Sequence, residues 1–113
     1  MTEEIVTLET AELLKKKGFQ QGKYLINVST LLNCYKYLSV PPQSVVQKWL
    51  RETKNLHICI YNNASGYGYG ISKAGNGTYI SDDLSDGPND GGQWDTYEEA
   101  LETGIQEALK LCN

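Results

Sequence analysis

The chain has 113 residues, of which 40% are hydrophobic and 21% are charged, and its formal net charge is −4. This length favours one domain with one modest core, and this composition excludes a disordered chain. No apolar run approaches the roughly 20 residues that a membrane span needs, and the negative charge disfavours non-specific binding to nucleic acid.

The first predicted element is a helix over residues 7–17, with Thr7 as its N-cap. Lys15 to Lys17 lie in its last turn, where positive charge complements the helix dipole, and Gly18 suits the position just after it. Apolar side chains recur at helical spacing, at Leu8, Ala11 and Leu14. So short a helix is marginal in isolation, and tertiary packing must hold it in place.

Residues 20–40 carry a weaker pattern. Alternating apolar side chains between residues 24 and 28 predict a strand, and residues 34–38 predict a second one. A further helical turn around residues 31–32 is the alternative.

The second predicted helix begins at Pro41 and Pro42, because proline suits the first turn of a helix, and it ends at Asn55. Its apolar face consists of Val45, Val46, Trp49 and Leu50. Its charged residues lie on the opposite side, which predicts an amphipathic helix packed on a core.

Three strands are predicted next, over residues 56–61, 67–71 and 78–81, with turns between them. One face of the first strand holds Leu56, Ile58 and Ile60, and the other holds His57, Cys59 and Tyr61. Residues 82–93 are polar and rich in Gly and Asp, which predicts a surface loop.

The last predicted element is an amphipathic helix with Asp95 or Thr96 as its N-cap, and Thr96 and Glu99 have the spacing of a capping box. Its apolar stripe contains Tyr97, Ala100, Leu101, Gly104, Ile105, Ala108, Leu109 and Cys112. A stripe of this width needs a surface to cover, and the preceding strands can provide it.

Together these elements predict a single α+β domain over residues 1–113. Its antiparallel sheet would have three strands, or four to five if residues 20–40 join it, packed by two or three helices. The helix at the C-terminal end would lie across the sheet.

Aromatic residues are concentrated in the strand region and just before the last helix. Five of them would form an exposed platform for a protein partner: Tyr61, Tyr67, Tyr69, Tyr79 and Trp94. Tyrosine and tryptophan favour interfaces but also favour sheets, so the alternative is that half of them pack under the last helix. We expect a non-enzymatic module that binds a protein through this platform and the acidic loop.

Two other functions have some support in the sequence. Residues 1–54 carry a net charge of +3 against −7 for residues 55–113. A regulator that binds nucleic acid could therefore use basic residues of the first two helices, namely Lys15, Lys16, Lys17, Lys48, Arg51 and Lys54. A small enzyme could use His57 with Cys59, although a reactive pair needs an orienting partner.

No cofactor or metal is predicted. The glycines at positions 66, 68 and 70 depart from the dinucleotide-binding spacing, and they more simply let a helix or a neighbouring backbone approach. The acidic run that starts at Asp82 departs from the calcium-loop pattern at Leu84 and Gln93.

Three blocks of the chain, residues 6–19, 42–58 and 95–111, resemble an uncharacterised family of small proteins from gut bacteria and their phages. Pro42 departs from that family, in which a capping Thr is more usual. The family has no assigned activity, so the resemblance implies a phage or host accessory protein and no catalytic residues. Residues 92–101 are similar to the helix start of HicB-type antitoxins, which inhibit an RNase partner.

The cellular location is predicted from the N-terminal residues and the cysteines. The first ten residues are acidic and lack the apolar stretch of a signal peptide. Three cysteines make an odd count, which favours reduced thiols. The expectation is a protein of the bacterial or phage-infected cytoplasm.

Overall fold

A computed structural model of the protein describes residues 4–27, 37–82, 87–89 and 92–112. Its elements in chain order are α1 (Leu8–Lys16), β1 (Leu25–Asn27), β2 (Tyr37–Ser39), α2 (Gln43–Thr53), β3 (Leu56–Asn63), β4 (Gly66–Lys73), β5 (Tyr79–Asp82) and α3 (Tyr97–Leu111). The predicted α+β class is confirmed.

The strands form two antiparallel sheets. One sheet has the order β3-β4-β5, which confirms the predicted three-stranded sheet, and β1 pairs with β2 in a separate sheet of two strands. Within the described ranges, β1 and β2 therefore do not extend the larger sheet to four or five strands. Val28, residues 31–32 and residues 34–36 of the earlier predictions lie outside those ranges.

Both predicted side-chain caps are present. The Thr7 hydroxyl accepts a hydrogen bond from the Thr10 N–H at 3.3 Å, and the Thr96 hydroxyl accepts one from the Glu99 N–H at 3.1 Å. Gly18 follows α1 with a φ of +96°, and Asn55 follows α2 with a φ of +57°, where the left-handed backbone ends each helix. The helix boundaries therefore agree with the sequence to within a residue or two.

Helix α3 covers the inner face of the three-stranded sheet and buries most of its apolar stripe. Leu101, Ile105 and Leu109 are buried, as predicted. A Cβ built on Gly104 would lie 3.1 Å from Ile58 and from the Tyr69 ring, so glycine lets the helix backbone approach the sheet here. Tyr97, predicted in the stripe, is instead exposed at the start of the helix.

The chain just before α3 is fixed to the edge of β4. Tyr67 and Trp94 exchange two backbone hydrogen bonds of 2.8 Å each. Gly66 has a φ of +129°, and a Cβ there would lie 2.1 Å from the Trp94 carbonyl oxygen. The prediction that the glycines allow a close backbone approach is confirmed at Gly66.

A carboxylate of α3 joins all three helices. Glu102 accepts hydrogen bonds from the Thr7 N–H at 3.0 Å, from the Thr10 hydroxyl, and from the Gln43 amide at 3.0 Å. Gln43 also donates to the Glu98 carbonyl oxygen at 3.0 Å. Thr10 is fully buried and Gln43 nearly so, and the network provides these polar groups with partners.

Candidate functional site

The face of the three-stranded sheet that points away from α3, called the outer face, holds the exposed members of the predicted site. Side chains alternate along each strand, so the residues that flank the buried Ile58 and Tyr69 point outward. The pairing register places Cys59, Gly70 and Asp82 in one row and His57, Ser72 and Tyr79 in the next. Tyr61 lies in the row on the other side.

Two tyrosines of the outer face are exposed, one on either side of Gly70. Tyr61 is 40% exposed and Tyr79 is 64% exposed. Between them, a Cβ built on Gly70 would meet no atom within 4 Å, so the backbone there is open. Rows of side chains on one strand face are about 7 Å apart, which leaves room for a partner side chain over Gly70.

The structure corrects the prediction of one platform of five aromatic residues. Tyr69 is 1% exposed and Trp94 is 9% exposed, and their ring centroids are 5.8 Å apart on the inner side of the sheet. Tyr67 is half-buried and meets Tyr97 edge to face at 6.2 Å. Of the five predicted residues, Tyr61 and Tyr79 are the ones exposed on the outer face.

A period-two signal in the sequence could have separated these tyrosines. Tyr67 and Tyr69 alternate in phase with Ile71, an aliphatic residue of the core. On the neighbouring strand β3, Tyr61 alternates out of phase with the buried Ile58. Residues in phase with the aliphatic positions belong to the core face of a half-buried sheet.

His57 and Cys59 share the outer face of β3, as predicted, about 7 Å apart along the strand. Cys59 is exposed and His57 is half-buried. Among the described residues, no group of three or more His, Cys, Asp or Glu side chains could hold a metal ion. The pair thus lies on one face of the strand, and the enzyme alternative stays a prediction.

Two of the predicted basic residues have identified contacts near the helix ends. Lys17 donates from Nζ to the Cys112 carbonyl oxygen at 2.8 Å, and the Nζ of Lys54 lies 5.5 Å from the ring centroid of Trp49. These contacts fix the ends of α1 and α3 and the last turn of α2. In the predicted acidic loop, Asp83, Asp86 and Asp90 lie outside the described residues.

Cys112 is a buried thiol at the end of α3. Its Sγ donates to the Ala108 carbonyl oxygen at 3.4 Å. Burial raises the pKa of the Cys112 thiol, and the positive charges of Lys54 and Lys17 only partly oppose this effect. The reactive thiolate of Cys112 is therefore scarce at neutral pH.

We expect iodoacetamide to alkylate Cys59 at least about tenfold faster than Cys112 at pH 7.5, because Cys59 is exposed and Cys112 is buried with a raised pKa. Peptide mass spectrometry after timed quenching measures each cysteine separately. The rate of Cys112 alkylation should keep rising when the pH is increased beyond the ordinary pKa of a thiol. Equal rates in the folded protein, or a Cys112 rate that levels off near neutral pH, would contradict this description of the thiol.

A scan against protein-family models matched no family, and searches of curated proteins and of solved structures found no match. The likeness to small proteins of gut bacteria and phages, and the weaker one to HicB-type antitoxins, therefore stay predictions. In the ranges that the structure describes, no helix is long and apolar enough to cross a bilayer.

Proposed function

We propose that this chain is a non-enzymatic module that binds a partner protein through the outer face of its three-stranded sheet. The observation that carries the proposal is the difference between the two faces. Helix α3 buries the inner face, whereas the outer face leaves Tyr61 and Tyr79 exposed on either side of the open backbone at Gly70.

The chemistry of the outer face suits a protein contact. Each tyrosine offers a large ring at a low cost in side-chain entropy. A partner side chain that sits over Gly70 would contact both backbone and aromatic rings. Cys59 and Asp82 are the neighbours of Gly70 in the same row.

The test is a double variant, Tyr61→Ser with Tyr79→Ser, used as bait in the cells that produce the protein. Exposed tyrosines that act as interface hot spots cost about 2 kcal/mol or more each when removed, so a partner should be lost from the double variant. Quantitative mass spectrometry of co-purified proteins measures that loss. Urea unfolding of the same variant tests separately whether the fold is retained, since both side chains are more than a third exposed.

The matched control is Tyr97→Ser, since Tyr97 is 42% exposed but lies at the start of α3, away from the outer face. A protein that the unaltered bait and the Tyr97 variant retain, and that the double variant loses, would support the proposal. The proposal fails if the double variant retains the same proteins, or if the unaltered bait retains none specifically.

A further inference from the structure

A groove of about 710 Å³ lies between helix α2 and residues 18–24, on a different part of the molecule from the outer face. Its apolar lining includes Phe19, Val45 and Trp49, and Phe19 meets Trp49 edge to face with ring centroids 5.4 Å apart. Tyr24 lines it as well and is exposed. The volume falls within the range of about 300–1,000 Å³ that is typical of ligand sites.

Hydrogen bonds hold the loop wall of this groove in one shape. The Gln21 side chain accepts from the Ser39 N–H at 3.0 Å and donates to the Phe19 carbonyl oxygen at 3.0 Å. The buried Ser39 hydroxyl donates to the Lys23 carbonyl oxygen, and the Val40 N–H donates to the Tyr24 carbonyl oxygen at 2.8 Å. A wall fixed before binding lowers the entropy cost of an occupant.

Tyr24 occupies an unusual backbone conformation. Its φ is +59°, which a bulky L-residue rarely adopts because Cβ crowds the backbone. The hydrogen-bonded wall keeps Tyr24 in this conformation while its side chain lines the groove. Such strain is a feature of binding sites more often than of ordinary loops.

The charge around the groove selects the chemistry of its occupant. Of the charged residues that line the groove, two are positive and one is negative, which gives the lining a net charge of +1. The positive residues are Lys23 and Lys48, the negative one is Glu52, and all three are exposed. An occupant with negative charge beside an apolar group would complement this arrangement.

The contacts that cover the Trp49 ring favour a peptide over a nucleic acid as the occupant of the groove. Single strands bind by stacking bases on open aromatic faces. Here the Lys54 ammonium lies over the Trp49 ring and Phe19 packs against the same side chain, so access of a base to the ring is restricted. An aliphatic or aromatic side chain that inserts beside Val45 needs no open ring face.

We propose that this groove binds an acidic peptide segment of a partner protein, with one apolar side chain of the segment in the groove and its carboxylates beside Lys23 and Lys48. The inference is independent of the outer-face proposal, because its site and its variants are different.

The test is selection of random peptides, displayed on phage, against the immobilised full chain. We expect the selected sequences to be enriched in Asp and Glu around one Leu, Phe or Trp. Their binding, measured with synthetic fluorescein-labelled copies at physiological ionic strength, should weaken about tenfold or more in the Lys23→Glu, Lys48→Glu double variant. Both lysines are exposed, and the unfolding curve of the variant should therefore stay unchanged.

The matched control is the double variant Lys73→Glu with Lys110→Glu, which has the same net charge but changes two other exposed lysines. It should bind the selected peptides like the unaltered protein. The proposal is overturned if no sequence is enriched, if the peptides lack acidic residues, or if both double variants lose binding equally. It is also overturned if an oligothymidine probe binds where the peptides do not, and if the Lys23→Glu, Lys48→Glu variant loses that binding. Concentration-dependent self-association that the groove variant abolishes would identify a second copy as the occupant instead.

Discussion

Replacing Tyr69 by alanine is expected to lower the free energy of unfolding by about 3–5 kcal/mol. The Tyr69 side chain is among the largest that are fully buried, and it lies between the Trp94 ring and Gly104 of α3. Its removal leaves a cavity under the helix that the surrounding side chains can only partly fill. Because small domains are stable by about 5–15 kcal/mol, this variant would lie near the limit of folding.

Urea unfolding followed by far-UV circular dichroism measures this loss. The control is Tyr79→Ala, which removes the same side chain from the exposed outer face and should change the free energy by no more than about 0.5 kcal/mol. Similar losses of unfolding free energy in the two variants would show that the inner and outer faces of the sheet are assigned incorrectly.

Replacing Glu102 by alanine is expected to destabilise the fold by about 2–4 kcal/mol, a large effect for a residue outside the apolar core. The carboxylate is an acceptor for Thr7, Thr10 and Gln43, which belong to the start of α1 and of α2. Without it, buried donors of Thr10 and Gln43 lose a partner, and the unbonded donors carry the desolvation cost.

Glu107→Ala is the control for this effect. Glu107 lies on the same helix, but its ion pair with Lys110 is a surface contact at 3.2 Å, and such pairs contribute about 0–1 kcal/mol. Chemical denaturation of both variants measures the difference. A Glu102 variant as stable as the Glu107 variant would mean that the network does not hold the helices together.

The sequence predicted best those features that depend on local spacing. Thr96 three residues before Glu99, and apolar residues every three or four positions after it, sufficed to place α3 and its buried face. The first strand of the larger sheet was equally clear, because Leu56, Ile58 and Ile60 alternate with polar residues. Local patterns of this kind are set by backbone geometry alone.

Features that depend on distant pairing were predicted less well. The predicted exposure of Tyr69 was wrong, because residue type alone does not say which face of a strand lies under a helix. The Glu102 network joins residues 59 and more positions apart, and no spacing rule connects them. Likewise the groove beside Trp49 needs a loop that contacts α2 through Phe19 and is bonded to β2 through Gln21 and Ser39.

The hydrogen bonds of Glu102 also constrain the order in which the fold can form. Helix α1 is made early during synthesis, yet the acceptor that completes its first turn is more than 90 residues further along the chain. A nascent chain that still lacks α3 therefore leaves the Glu102-bonded donors of the first turn of α1 without this acceptor and the inner face of the sheet uncovered. Ribosome-bound chains should acquire protease resistance only after residues 97–111 have left the exit tunnel.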